Sequence, residues 1–152
     1  GLFTDQQRIE CSKHPVQLKL PQRQHVPAAD LIDFSAGRWA QIERKGRAVN
    51  TLARIARGRA EHGDRFLTAF YGATKGGRSL SRPIGTIVTR DRWAIIDHDR
   101  MRMLMVDEAR RAMGFPSTYK LPDNSRLAMH LLGNAVCPPV ARDVITSLRA
   151  AA

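Results

Sequence analysis

Glycine and proline cut this chain into short elements, and that punctuation limits the available folds more than any other feature. Pro15, Pro21 and Pro27 deny a helix to residues 1–27, which read as an extended, irregular lead-in. Leu52, Ile55, Ala56 and Arg59 recur at helical spacing behind Asn50, a candidate cap, and Gly63 closes that helix in a left-handed conformation. The apolar, aromatic stretch from Phe66 to Tyr71 reads as a strand ended by Gly72. Between residues 74 and 82, Gly76 and Gly77 with Lys75 and Arg78 read as a mobile basic loop.

Thr86 to Thr89 and Trp93 to Ile96 are two β-branched runs around Arg90, Asp91 and Arg92, the pattern of a hairpin with a charged tip. Asp97, His98 and Asp99 read as a turn, and residues 101–106 as another strand. The C-terminal third is helical. Asp107 caps a short helix through Met113, stopped by Gly114, and Ser125 caps a second through Leu132, stopped by Gly133. A last helix begins near Pro138 and Pro139, at first-turn positions where proline is tolerated. It carries one apolar stripe, Val140, Val144, Ile145 and Leu148. The expected class is α+β: a small β-rich lobe followed by C-terminal helices.

Charge narrows the partners. Lys and Arg total 25 against 14 acids, a net charge of +11, and such an excess suggests a polyanion, most often nucleic acid. Most of the excess is arginine, whose planar fork suits phosphate oxygens and guanine edges. Arg54 and Arg57 project from the 52–59 helix, although a row of this kind is usually a solvated face. No apolar run approaches the ~18 residues of a membrane span, and no charged-then-apolar leader opens the chain.

A self-sufficient active site is not visible. His14, His25, His62, His98 and His130 have no metal-ligand spacing, and neither a serine nucleophile elbow nor a P-loop occurs. Cys11 and Cys137 read as two free thiols in a reducing compartment. Gly133, Asn134 and Ala135 join two helices. They form either a plain turn with an Asn cap or a place where outward N–H groups and small residues admit a ligand.

The string Met103-Leu104, Glu108, Met113-Gly114-Phe115-Pro116 and Tyr119, followed by Leu132 through Ala141, resembles the end of bacterial cytosine-C5 DNA methyltransferases. In that family the tenth motif is a GNAV-type turn and helix closing the cofactor pocket. The ninth motif looks like Arg82 through Ile87, with Thr89, Asp91, Arg92 and Trp93 continuing it. Residues 27–33 and 51–55 look like the variable region between the eighth and ninth motifs. The family's cofactor-binding glycine turn, Pro-Cys nucleophile loop and Glu-Asn-Val motif have no counterpart in this sequence. Gln7-Arg8 is only a faint echo of the eighth motif.

The resemblance implies the target-recognition half of such an enzyme: a second subunit of a split enzyme, or a C-terminal fragment. Residues 1–26 would be the lead-in, 27–100 the recognition region, and 101–152 a helical segment packing on a missing Rossmann-like catalytic domain. In the assembled enzyme, the target cytosine is flipped out and attacked at C6 by a cysteine of the other half, and C5 is methylated from S-adenosylmethionine. Asn134 and Ala135 match the positions that touch the cofactor. Lys75, Arg78, Arg82, Thr86, Arg90 and Arg92 are the candidate DNA contacts, with Arg82 expected to be more structural than DNA-binding. Partners implied are double-stranded DNA and a catalytic half, or self-association through the exposed apolar face of the last helix. No catalytic or metal-binding residue is expected in this chain, and its place is the bacterial cytoplasm, on the nucleoid. The alternative is a catalytically inert DNA-binding remnant or module.

Overall fold

The computed structural model describes residues 19–70, 76–90 and 92–151. Two compact units divide the chain: Gln24–Cys137, and Pro138–Ala152 together with Gly1–Arg23.

The first unit is built on an antiparallel sheet of five strands, β1 Ala40–Gln41, β2 Arg65–Ala69, β3 Gly77–Arg78, β4 Trp93–Asp97 and β5 Arg100–Met103, in the order β1-β5-β4-β2-β3. Its helices are α1 Val49–His62, α2 Val106–Ala112 and α3 Ser125–Asn134, with a 3-10 turn at Ala28–Asp30. The mixed α+β class is as expected. β4 lies at the centre, and all five of its residues are buried. Both faces of the strand are covered, so it reads as a continuous apolar run rather than an alternating one. The period of two then sorts its residues. Ile95, opposite Leu67, joins one core with Leu104, Ala109 and Leu132 from the side of α2 and α3. Ile96, opposite Phe66, joins the other with Ile55 of α1, Ile42 and Met101.

Several local expectations shift. The helix ending at Gly63 begins at Val49 rather than behind Asn50, and its buried residues are Ile55 and Gly58. Ala56, expected on the apolar stripe, is exposed. Gly58 is needed because a Cβ there would sit 2.2 Å from the Phe66 ring. Gly77 and Arg78 form an edge strand on β2 rather than a loop. Thr86 to Thr89 is not a strand, because its backbone serves other partners. The Thr86 carbonyl accepts from Trp93 Nε1 at 3.0 Å. Gly133, helical rather than a stop, lies so close to Val88 and Thr89 that a Cβ would meet their backbone at 2.3 Å.

The hairpin is instead β4–β5, turning at His98 and Asp99, with His98 at a positive φ of 52°. Asp107 and Ser125 lie inside helices whose caps are Met105 and Asn124; the Asn124 side chain accepts from Leu127 N at 3.0 Å. Gly114 ends α2 at φ 77°.

In the second unit, the last helix is α4, Pro138–Ala151. Residues 19–23 run without regular structure. Arg23 grips Asp143 through two 2.6 Å bonds, and Ser147 Oγ donates to the Lys19 carbonyl at 3.2 Å. None of residues 138–150 is fully buried, and Val140 and Ile145 remain 52% and 54% exposed.

Candidate functional site

One buried ion pair anchors the site region. β5 turns Arg102 inward opposite Ile95, and the first turn of α2 aims Glu108 back at it. Arg102 Nη1 and Nη2 donate to the Glu108 carboxylate at 2.8 and 2.6 Å. The remaining capacity of that carboxylate is filled by Met105 N at 2.8 Å and Asp33 N at 3.0 Å. Arg102 also donates to the carbonyls of Asp33 and Met103, and the Trp39 ring lies 4.9 Å from its guanidinium. The carboxylate is fully satisfied, while Arg102 Nε is buried without a hydrogen-bond partner among the described residues. A pair of this kind fixes geometry more than it adds stability. Here it joins the segment at 33, the end of β5 and the start of α2.

Beside this anchor opens a cleft of about 790 Å³. Met103, Leu104, Met105 and Met129 give it an apolar lining, and Arg38, Arg90 and Arg126 bring three guanidinium groups from three segments. All three arginines are exposed, and among the described residues no carboxylate lines the cleft. Elsewhere some arginines are paired: Arg59 with Asp64 and Asp99, Arg65 and Arg100 with Asp97, Arg110 and Arg111 with Asp107. Among the described residues, Arg38, Arg90 and Arg126 have no such partner, and neither do others such as Arg44, Arg57 and Arg149.

A second cluster lies at the β4–β5 turn. Burial pushes the Asp97 carboxyl up, but hydrogen bonds from Arg100, His98 and Arg65 outweigh it and hold the group at about 2. With three neighbours on one buried carboxylate, this cluster locks the turn.

The expected DNA contacts line different clefts or none of those described. Arg78 and Thr86 share a cleft of about 360 Å³ with Trp93. Arg90 lines the larger cleft. Arg92 turns back to the Phe70 carbonyl at 3.4 Å. Arg82 is exposed, while its backbone carbonyl accepts from Ala28 N at 2.9 Å and so pins the 3-10 turn. Lys75 lies outside the described residues, as do Tyr71, Asp91 and Cys11. On α1, Arg54, expected to project, donates to the Ala69 carbonyl, and Arg59 donates to the His98 carbonyl. Cys137 is a free thiol directed at Met113 Sδ at 3.7 Å. Asn134 ends α3 on the surface, its amide 3.1 Å from His130 Nε2, and Ala135 follows in extended conformation.

Sequence reasoning missed Arg38, Arg126 and the Arg102–Glu108 pair. The pair had a signal: an arginine amid apolar strand residues, six positions before a glutamate in the first turn of a helix. Arg38 and Arg126 had none, since only the fold brings them to one cleft.

A basic α+β protein with an arginine-walled cleft is the class these features define. It belongs to the C-5 cytosine-specific DNA methylase family, whose model matches residues 6–150. Two relatives from Herpetosiphon aurantiacus are similar over 41 residues: the Type II methylase M.HgiEI at 49% identity and the Type II methyltransferase M.HgiCII at 46%. The matched stretch spans 27% of this chain and 9% of each relative. No solved structure matches. No described helix is long and apolar enough to cross a membrane.

Proposed function

We propose that this chain is the DNA-recognition part of a DNA (cytosine-5)-methyltransferase and acts with a catalytic half. One observation carries the reading: the family match covers nearly the whole chain, yet neither cysteine follows a proline. Cys137 is directed at the Met113 sulfur. The attacking cysteine is therefore assigned to other residues, in a separate subunit or in a longer form of the same protein.

Double-stranded DNA is the partner that the charge of +11 favours. Arg78 and Thr86 would lie toward base edges or phosphates, and Arg90 toward the backbone. Asn134 and Ala135 fit one wall of an S-adenosylmethionine site: an exposed amide with donor and acceptor capacity beside a small residue. They cannot enclose a ligand by themselves, so the remaining walls belong to the catalytic half. S-adenosylmethionine supplies the methyl group; this chain's residues position DNA and close that wall. The partly uncovered stripe of α4, with Val140 and Ile145 exposed, supports a docking role for that helix, toward the catalytic half or a second copy.

The test mixes the chain with a catalytic half bearing the Pro-Cys loop and follows labelled methyl transfer to duplex DNA. Transfer is expected only in the mixture, and transfer by this chain alone refutes the reading. DNA binding without transfer in any mixture would favour an inert DNA-binding module instead.

A further inference from the structure

We propose that the cleft between β5, α2 and α3 is a backbone-holding site, in which Arg38, Arg90 and Arg126 grip the phosphodiester groups of a nucleic-acid strand. The inference rests on the DNA reading above and adds a location and two residues to it. Each guanidinium comes from a different segment: before β1, before β4, and the first turn of α3. Like charges gathered at one cleft repel unless an anion sits among them. Acids neutralise several arginines on this protein, but among the described residues none lines this cleft.

Two further features fit a polymer better than a free ion. The volume of about 790 Å³ is far larger than one phosphate needs and lies in the range of sites for whole ligands. Its methionine and leucine lining suits the apolar faces of sugars between charged groups. The N-terminus of the ten-residue α3, at Ser125, adds the favourable end of a helix dipole to the same cleft. Contacts of this kind position DNA without reading sequence. This cleft would therefore supply affinity common to all duplexes, with sequence discrimination left to other residues.

Fluorescence anisotropy of the full chain with labelled duplexes of two unrelated sequences, titrated with salt, tests this. The triple variant Arg38→Ala/Arg90→Ala/Arg126→Ala is compared with Arg44→Ala/Arg57→Ala/Arg149→Ala, which removes equal charge from exposed arginines outside the cleft. A cleft that holds backbone lowers the slope of log K against log salt by about 0.9 per lost phosphate contact. A fall of about 2–3 is expected for the cleft variant, equal on both sequences and larger than for the control. A fall no larger than the control's overturns the proposal. Unchanged thermal melting separates loss of contacts from loss of fold.

Side-chain NMR of the arginines with inorganic pyrophosphate distinguishes the two failures. Shifts at Arg38, Arg90 and Arg126 without any duplex binding overturn the DNA reading and assign the cleft to a small phosphorylated ligand. Duplex binding that leaves these three signals unmoved overturns the cleft alone.

Discussion

Replacing Glu108 by glutamine removes one charge from a site closed to solvent. Glu108 is fully buried and the Arg102 side chain is 2% exposed. The carboxylate accepts four hydrogen bonds, two from Arg102 and one each from the Asp33 and Met105 amides. Glutamine keeps the shape, but its NH₂ must face a donor, and the guanidinium is left as an unmatched buried charge. Breaking a buried pair from one side costs about 3–5 kcal/mol, against a total stability of about 5–15 kcal/mol for a domain.

The double variant Arg102→Met/Glu108→Leu removes both charges and leaves the Asp33 and Met105 amides without an acceptor, at about 1–3 kcal/mol each. It also takes the Arg102 donor from the Asp33 and Met103 carbonyls. It should therefore be less damaged than the sum of its two single variants, by about 2 kcal/mol or more. Urea unfolding followed by the fluorescence of Trp39 and Trp93 reports on this unit, with stability read from the midpoint at constant m. A Glu108→Gln variant within about 1 kcal/mol of wild type would refute the reasoning. So would single-variant effects that simply add.

Gly133→Ala gains about 1 kcal/mol of helix propensity, but its Cβ would lie 2.3 Å from the Thr89 and Val88 backbone. Backbone yields less readily than a side-chain tip, so the melting temperature should fall by several degrees. Asp97 has a folded-state value of about 2 against 3.8, so its contribution is complete above pH 4 and is lost as pH falls toward 2. Asp97→Asn should remove up to about 2 kcal/mol of stability at pH 7 and flatten this acid limb in urea titrations between pH 4 and 2. Asn124→Ala removes the acceptor for Leu127 N at the start of α3. It should cost about 1 kcal/mol by chemical denaturation.

Elements governed by their own residues were legible in the chain. Pro138-Pro139 marks the start of α4, Gly63 and Gly114 end their helices with positive φ, and Trp93–Ile96 lies within β4. Elements whose state depends on distant partners were not. Thr86 to Thr89 has strand-forming residues, but Trp93 takes its carbonyl and Gly133 takes its closest approach, so it never joins the sheet. The same holds for the site. Arg90 stood out locally, whereas Arg38 and Arg126 are 88 positions apart in sequence and meet at a cleft only because β5 and α3 flank it.

The four-way grip on Glu108 also sets an order of events during synthesis. The Asp33 amide is made 75 residues before the carboxylate that accepts from it. At roughly 5–20 residues per second, the segment from 28 to 41 waits about 4–15 s on the ribosome for its partner. Through that interval β1 also lacks β5, its only strand neighbour among the described residues. Phe34, Arg38 and Trp39 therefore meet the cell on an open stretch before Arg38 becomes part of the wall of a cleft.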